Sequence, residues 1–173
     1  MSTLKVNKII PTAGVPTGGG GGIIQIKQVV KTDTFSHLNE AFTDITGLSV
    51  SITPTSTSSK IMIKYGGCMG SGSNRIGHIR LMKGSTAIFV GTSPSSNQAA
   101  ASSTCVQTNT YFVSAFGGEF LDSPSTDQAT TYKLQLASGD QDFQTHIGRS
   151  HDNNNEFSRS RTPSFITVME VSA

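Results

Sequence analysis

Leu48-Ser49-Val50-Ser51-Ile52-Thr53-Pro54, followed after a Ser/Thr turn by Lys60-Ile61-Met62-Ile63-Lys64-Tyr65, decides the fold class. In both stretches every second residue is apolar, and Pro54 ends the first. A short alternating run puts one face in a core and the other in water, which is the pattern of an antiparallel sheet. Working outward, Ile24/Ile26, Ile79/Leu81, Tyr132/Leu134/Leu136, Phe143/Thr145/Ile147 and Phe165/Thr167/Met169/Val171 repeat the period. Less regular strands are expected at 87–90, 105–113 and 115–121. Gly, Ser, Asn and Pro turns separate the runs. About eight to ten such strands predict an all-β chain, an antiparallel β-sandwich or jelly roll. The only helical signal is Phe35 to Phe42, which fits a turn or two of helix or a loop.

Composition agrees. The 173 residues suit one domain with a short extension. Charged residues make up only 14%, against a typical ~25%, while 24 serines and 21 threonines supply a hydroxyl-rich surface. No apolar run approaches the ~18 residues of a membrane span, so no membrane insertion is expected. A net charge of +2 and the lack of a Lys/Arg cluster argue against nucleic acid. Cys68 and Cys105 match neither a zinc nor a redox spacing and read as buried free thiols of a chain made in a reducing cytosol. No signal peptide is expected at Met1-Ser2-Thr3-Leu4-Lys5.

The start of the chain differs from the rest. Residues 1–22 read as an N-terminal arm with a hinge, and 23–173 as the head. Leu4, Lys5, Val6, Lys8, Ile9 and Ile10 form a small apolar and basic stretch, and Gly18 to Gly22 follow it as a flexible connector. Apolar residues on a detached arm imply pairing with another surface. Lys5, Lys8, Lys27 and Lys31 all precede Asp33, the first acidic residue, so an acidic docking surface would suit the arm.

Catalytic patterns are weak. The glycine run is followed by Ile23-Ile24-Gln25 in strand pattern, not by Lys-Ser/Thr and a helix, so it is no phosphate loop. There is no GxSxG, and the fold lacks the strand-to-helix elbow it needs. Asp140 and Asp142, and the Asp152–Glu156 stretch, are oxygen-rich enough for calcium but match no EF-hand loop; Asx turns account for them better. His146, on an expected strand, should face water. No cofactor is expected. Arg149, His151, Asn153, Asn154, Arg159 and Arg161 surround one polar loop, and guanidinium forks converging there would make a receptor or anion rim.

Three stretches together resemble a family. They are Ser2 to Ile10; Phe42-Thr43-Asp44-Ile45-Thr46-Gly47 running through Pro54 to Ser58-Ser59-Lys60-Ile61; and Phe120-Leu121-Asp122-Ser123-Pro124 with Thr131 to Leu136 and the closing Ile166 to Val171. The chain is similar to small virion structural and fibre-like proteins of tailed phages, especially those of marine bacteria and cyanobacteria. The resemblance implies a short N-terminal attachment segment and a C1q/TNF-like trimeric jelly-roll head, assembled in the host cytoplasm and carried on the virion. The partners it implies are two further copies and a capsid, portal or tail protein, with host surface glycan as a receptor. It carries over no catalytic residues. A capsid-decorating protein without receptor binding is the alternative, and a glycan depolymerase on the same fold is a third. Met62, Met82, Ile166 and Val168 lie on the minority face of their strands. Together with Phe165 they are the expected trimer interface, because a strand apolar on both faces needs a second partner.

Overall fold

The structure, a computed structural model, describes residues 22–93, 95 and 97–172. Leu4, Lys5, Val6, Lys8, Ile9 and Ile10 lie outside the described residues. Eleven strands follow one another: β1 (Ile23–Lys31), β2 (Phe35–His37), β3 (Thr43–Ile52), β4 (Lys60–Gly70), β5 (Arg75–Lys83), β6 (Thr86–Ile88), β7 (Ser103–Gln107), β8 (Ser114–Asp122), β9 (Thr130–Ser138), β10 (Thr145–Ile147) and β11 (Ser164–Val171). The Phe35–Phe42 stretch begins as the short strand β2 rather than as a helical turn. Phe35 and Ile147 sit opposite each other there, and pairing with β10 satisfies the backbone.

The strands form two antiparallel sheets. One runs β1-β11-β4-β10-β2, with β8 on the other edge of β4; the second runs β3-β9-β5-β6, with β7 also on β5. Take only the eight long strands in chain order. The first sheet is then first–eighth–third–sixth, and the second is second–seventh–fourth–fifth. This is jelly-roll winding, in which successive long strands alternate between the layers except for the fourth and fifth, β5 and β7, which pair within the second sheet. The core between the layers holds Ile61, Ile63, Tyr65, Ile166 and Val168 from the first sheet and Leu48, Val50, Ile52, Leu81, Tyr132 and Leu134 from the second.

The faces of two strands are the reverse of the simple expectation. On β1, Ile24 and Ile26 point outward and are exposed, while Val29 packs against the core. On β11, Ile166 and Val168 have no exposed surface and fill the core, while Phe165 is 37% exposed on the outer side. Ile166 and Val168 are therefore core residues of the protomer and not interface residues. The reason is register. Gln25, opposite Glu170 in the β1–β11 ladder, shares the inner side with it, and the bulge at Ile24 shifts the strand's alternation. Met82, on the outer side of the second sheet, is also already buried within the protomer.

Two buried polar clusters fix the layers. Glu170 has no exposed surface. Its Oε2 accepts from Gln25 Nε2 at 2.6 Å, and its Oε1 accepts from the Thr55 amide and hydroxyl, both at 2.7 Å. Burial alone would raise its pKa, but the hydrogen bonds from Gln25, Ser59 and Thr55 prevail and hold it down at about 2. In the second cluster the Tyr132 hydroxyl donates to Asp122 Oδ2 at 2.7 Å, and Lys83 Nζ reaches Asp122 Oδ1 at 2.9 Å. Burial, then the neighbouring Asp122, pushes the Tyr132 phenol well above its usual value.

Candidate functional site

The sequence singled out the loop between β10 and β11, and the structure does bring its residues together. Gly148, at φ +77°, opens the loop, donating to the Cys68 carbonyl at 2.9 Å and accepting from the Thr162 amide at 3.1 Å. Arg149 and Arg161 form a backbone bridge at its base. The loop then folds back over the sheet. A Cβ on Gly70 would lie 2.4 Å from the Arg149 carbonyl oxygen, so only glycine lets the loop approach β4 this closely.

Most of the expected rim is engaged internally. Arg149 donates to the carbonyls of Ser150 and His151. Arg159 bridges Asp152 at 3.0 Å and Glu156 at 3.1 Å, and stacks 3.9 Å over Tyr111. Arg161 donates to Asn153 Oδ1 at 2.6 Å. These guanidinium groups tie the loop to itself and to the Tyr111 region. Asn154 sits on the outer turn of the loop, its amide bound to Asp152 Oδ1.

His146 departs from the expectation of an exposed histidine: it is 1% exposed. The loop covers its side of β10. Its Nδ1 shares a 2.8 Å hydrogen bond with the Ser36 hydroxyl, and its Nε2 lies 3.1 Å from His151 Nδ1. Burial first, then Arg149 and His151, depress its pKa to about 3, so it is neutral at ordinary pH. The oxygen-rich stretches form Asx turns. Asp140 accepts from the Asp142 amide and pairs with Arg75, while Asp152 pairs with Arg159. Among the described residues no three His, Cys, Asp or Glu side chains gather as a metal site. Cys68 and Cys105 are free, and burial raises the Cys105 thiol.

The outer side of the first sheet presents a different surface. In the register of β1, β11, β4 and β8, one row reads Ile26, Met169, Met62, Leu121. The next reads Gln28, Thr167, Lys64, Glu119, and the one after Val30, Phe165, Gly66, Gly117. Ile26, Val30 and Leu121 are exposed, with Met62 and Met169 half-buried. Lys64 and Glu119 pair at 2.8 Å between the two apolar rows. Of the five expected interface residues, Met62 and Phe165 belong to this face.

A cleft of about 750 Å³ opens on the outer side of the second sheet, where no motif drew attention. Its floor is His78 and Arg80 of β5. One wall is Glu40 and Phe42, which precede β3; another is Ser138 and Gly139 at the end of β9; a third is the segment around Gln98 to Ala100. Arg80 lies 3.5 Å over the Phe42 ring, and its Nε donates to the Ala100 carbonyl at 3.0 Å. The Asn39 side chain caps the Ala41 amide, and the Asn39 carbonyl accepts from Ser138, which sets Glu40 and Phe42 beside β5. His78 bonds Thr104 Oγ1 at 3.1 Å, and burial lowers its pKa. The sequence signal for this site is only the pair of polar residues, His78 and Arg80, on the outer side of an otherwise core-forming strand.

No family model matches the chain, and no curated protein matches it. Among solved structures, the chain is similar to one described as the structure of infectious bursal disease virus Gx strain, at 13% identity and a TM-score of 0.43. The match covers 97% of this chain, which spans 44% of that protein's chain. The two-sheet jelly roll stands on its own strands and registers, independently of that likeness.

Proposed function

We propose that the chain is a non-enzymatic virion structural protein, a short head or tail appendage of a tailed phage. In this reading the jelly roll is a C1q/TNF-like head, three copies associate, and residues 1–22 hold them on a capsid, portal or tail protein. The protein is assembled in the host cytoplasm and stays on the virion. The observation that carries the reading is the apolar row Ile26, Met169, Met62, Leu121, with Phe165 and Val30 beside it, on the outer side of the first sheet. Among the described residues no further layer covers this row, and contiguous exposed apolar area marks a contact surface.

A second copy of this chain is the occupant that fits. The Lys64–Glu119 pair gives the face both signs of charge at its centre, so a neighbouring copy can meet each charge with its opposite. β1, which contributes Ile26 and Val30, is the strand that follows the glycine run directly, so the tether and the contact face share one sheet. Closed three-fold symmetry brings three arms to one end of the assembly, where they share a mount. Adhesion to a host surface glycan completes the proposal: weak sites repeated on three heads, and on many appendages per particle, act together.

The test is cryo-electron microscopy of particles carrying either the full chain or one lacking residues 1–22. The full chain should show as three-fold density outside the shell or on the tail. The truncated chain should be soluble, folded and missing from particles. Normal incorporation of the truncated chain refutes the attachment role.

A further inference from the structure

The geometry points to the cleft over His78 and Arg80 as a binding site for an acidic saccharide, a sugar bearing a carboxylate. It is separate from the Arg149–Arg161 loop and from the proposed contact face. Arg80 is held in place on two sides, by the Phe42 ring beneath it and by its Nε bond to the Ala100 carbonyl. Among the described residues its two terminal nitrogens have no hydrogen-bond partner. A guanidinium fixed in this way, with two parallel N–H donors free, matches a carboxylate in bidentate geometry. The arginines of the Arg149–Arg161 loop, by contrast, already grip carboxylates, amides and carbonyls of their own chain.

The rest of the lining suits hydroxyls. Among the described residues Glu40 makes no ion pair and accepts one long 3.4 Å bond from Gln141, which leaves its carboxylate an acceptor for a ligand. Ser93, Gln98 and Ser138 add hydroxyl and amide groups around the mouth. With one cation on the floor and one anion on a wall, the cleft favours a ligand that carries a single negative charge and several neutral donors. A sugar acid has both; acetate lacks the hydroxyls, and glucose lacks the charge. The volume lies within the range of small-ligand sites. Arg80 occupies one face of Phe42, so that face does not serve as a stacking platform for a sugar. Binding by one cleft should therefore be weak, of roughly millimolar Kd.

The experiment is a ¹H–¹⁵N NMR titration of the full chain with glucuronate, glucose, acetate and inorganic phosphate in turn. Glucuronate should give saturable shifts at Glu40, Phe42, His78, Arg80 and Ala100, with Asn153 and Arg161 unmoved. Glucose and acetate should each bind at least about fivefold more weakly, and phosphate, which can pair with the fork but lacks the row of sugar hydroxyls, should bind more weakly than glucuronate. Arg80→Gln removes the fork, and Arg80→Lys keeps the charge and the stem should the first variant not fold. Either folded variant should lose most of the affinity for glucuronate and its preference over glucose. The inference is overturned by no saturable shift in the cleft, by phosphate binding as well as glucuronate, or by shifts confined to the Arg149–Arg161 loop. It is equally overturned if Arg80→Lys binds like the parent. None of these outcomes depends on incorporation into particles, so the site and the virion role fail separately.

Discussion

Replacing Glu170 with Gln tests the electrostatics that seal the β1 edge of the sandwich. The carboxylate has no exposed surface and accepts hydrogen bonds from Gln25, from Ser59 and from the amide and hydroxyl of Thr55. Its pKa falls from 4.5 to about 2. A shift of that size corresponds to ~3 kcal/mol in favour of the ionised folded state. The group is shielded from direct contact with water but lies close to the molecular surface, where solvent screens charge, so about 2 kcal/mol is the expected contribution. The sign follows from the direction of the shift. The folded pKa lies below the unfolded one, so the stabilisation is fully present above the unfolded pKa of 4.5 and is lost as pH falls towards about 2. Glu170→Gln keeps the size of the side chain but turns an amide group towards donors. Urea unfolding of both proteins, at equal chain concentration, should show the variant about 2 kcal/mol less stable near neutral pH. The gap should close as the solution is acidified, because the parent loses its charge there. A gap under ~0.5 kcal/mol, or one that stays constant down to acid pH, refutes the reasoning.

Other outcomes follow from the same structure. Met62→Lys combined with Leu121→Lys, at two neighbouring positions of the outer row, should give a folded monomer by light scattering where the parent is a trimer; a monomeric parent refutes the proposed contact. Val168→Asp should instead unfold the protomer, at a cost of ~3–5 kcal/mol, since Val168 lies in the core; circular dichroism showing a folded variant would contradict that placement. Tyr132→Phe leaves Asp122 Oδ2 without its 2.7 Å donor and should destabilise by ~1–3 kcal/mol in thermal unfolding; an unchanged melting temperature would argue against the bond. The His146 ring should stay neutral in NMR titrations until pH approaches about 3. Its pKa is depressed on folding, so the neutral ring's contribution is present above the unfolded value of 6.5 and is lost as pH falls from there towards about 3. A midpoint near the free value would mean that the loop does not cover it.

The strands were legible because alternation is a local signal. Leu48–Thr53 and Lys60–Tyr65 became β3 and β4 with the expected apolar faces inward. Which face turns inward is not local. β1 and β11 carry apolar residues on both sides, and only the ladder that sets Gln25 against Glu170 decides between them. That one register turned Ile166 and Val168 from expected interface residues into core. His146 misled for a related reason: period-2 reasoning assigns it the side away from the core, and nothing nearby in sequence says that residues 149–151 return to cover it. The cleft was invisible because Phe42, Arg80 and Ala100 come from three separate segments that meet only through the winding. The Asx turns at Asp140 and Asp152, by contrast, rest on bonds spanning two residues, within reach of a sequence reading.

The antiparallel β1–β11 ladder has a mechanical consequence. It runs from Ile23 opposite Val171 to Lys31 opposite Ser164. Gln25 bonds the Thr53 carbonyl, so the Ile52 end of β3 lies at the Ile23 end of β1, and Thr43, with Phe42 and the cleft, lies towards the other. A load applied between a tether before Ile23 and a ligand in the cleft therefore runs along the strands. It shears the whole β1–β11 ladder at once and does not peel it rung by rung. Shared loading of this kind resists rupture far better than unzipping. Optical-tweezer pulling from these two points should give one high-force event, and a staircase of small ones would show that β1 peels away.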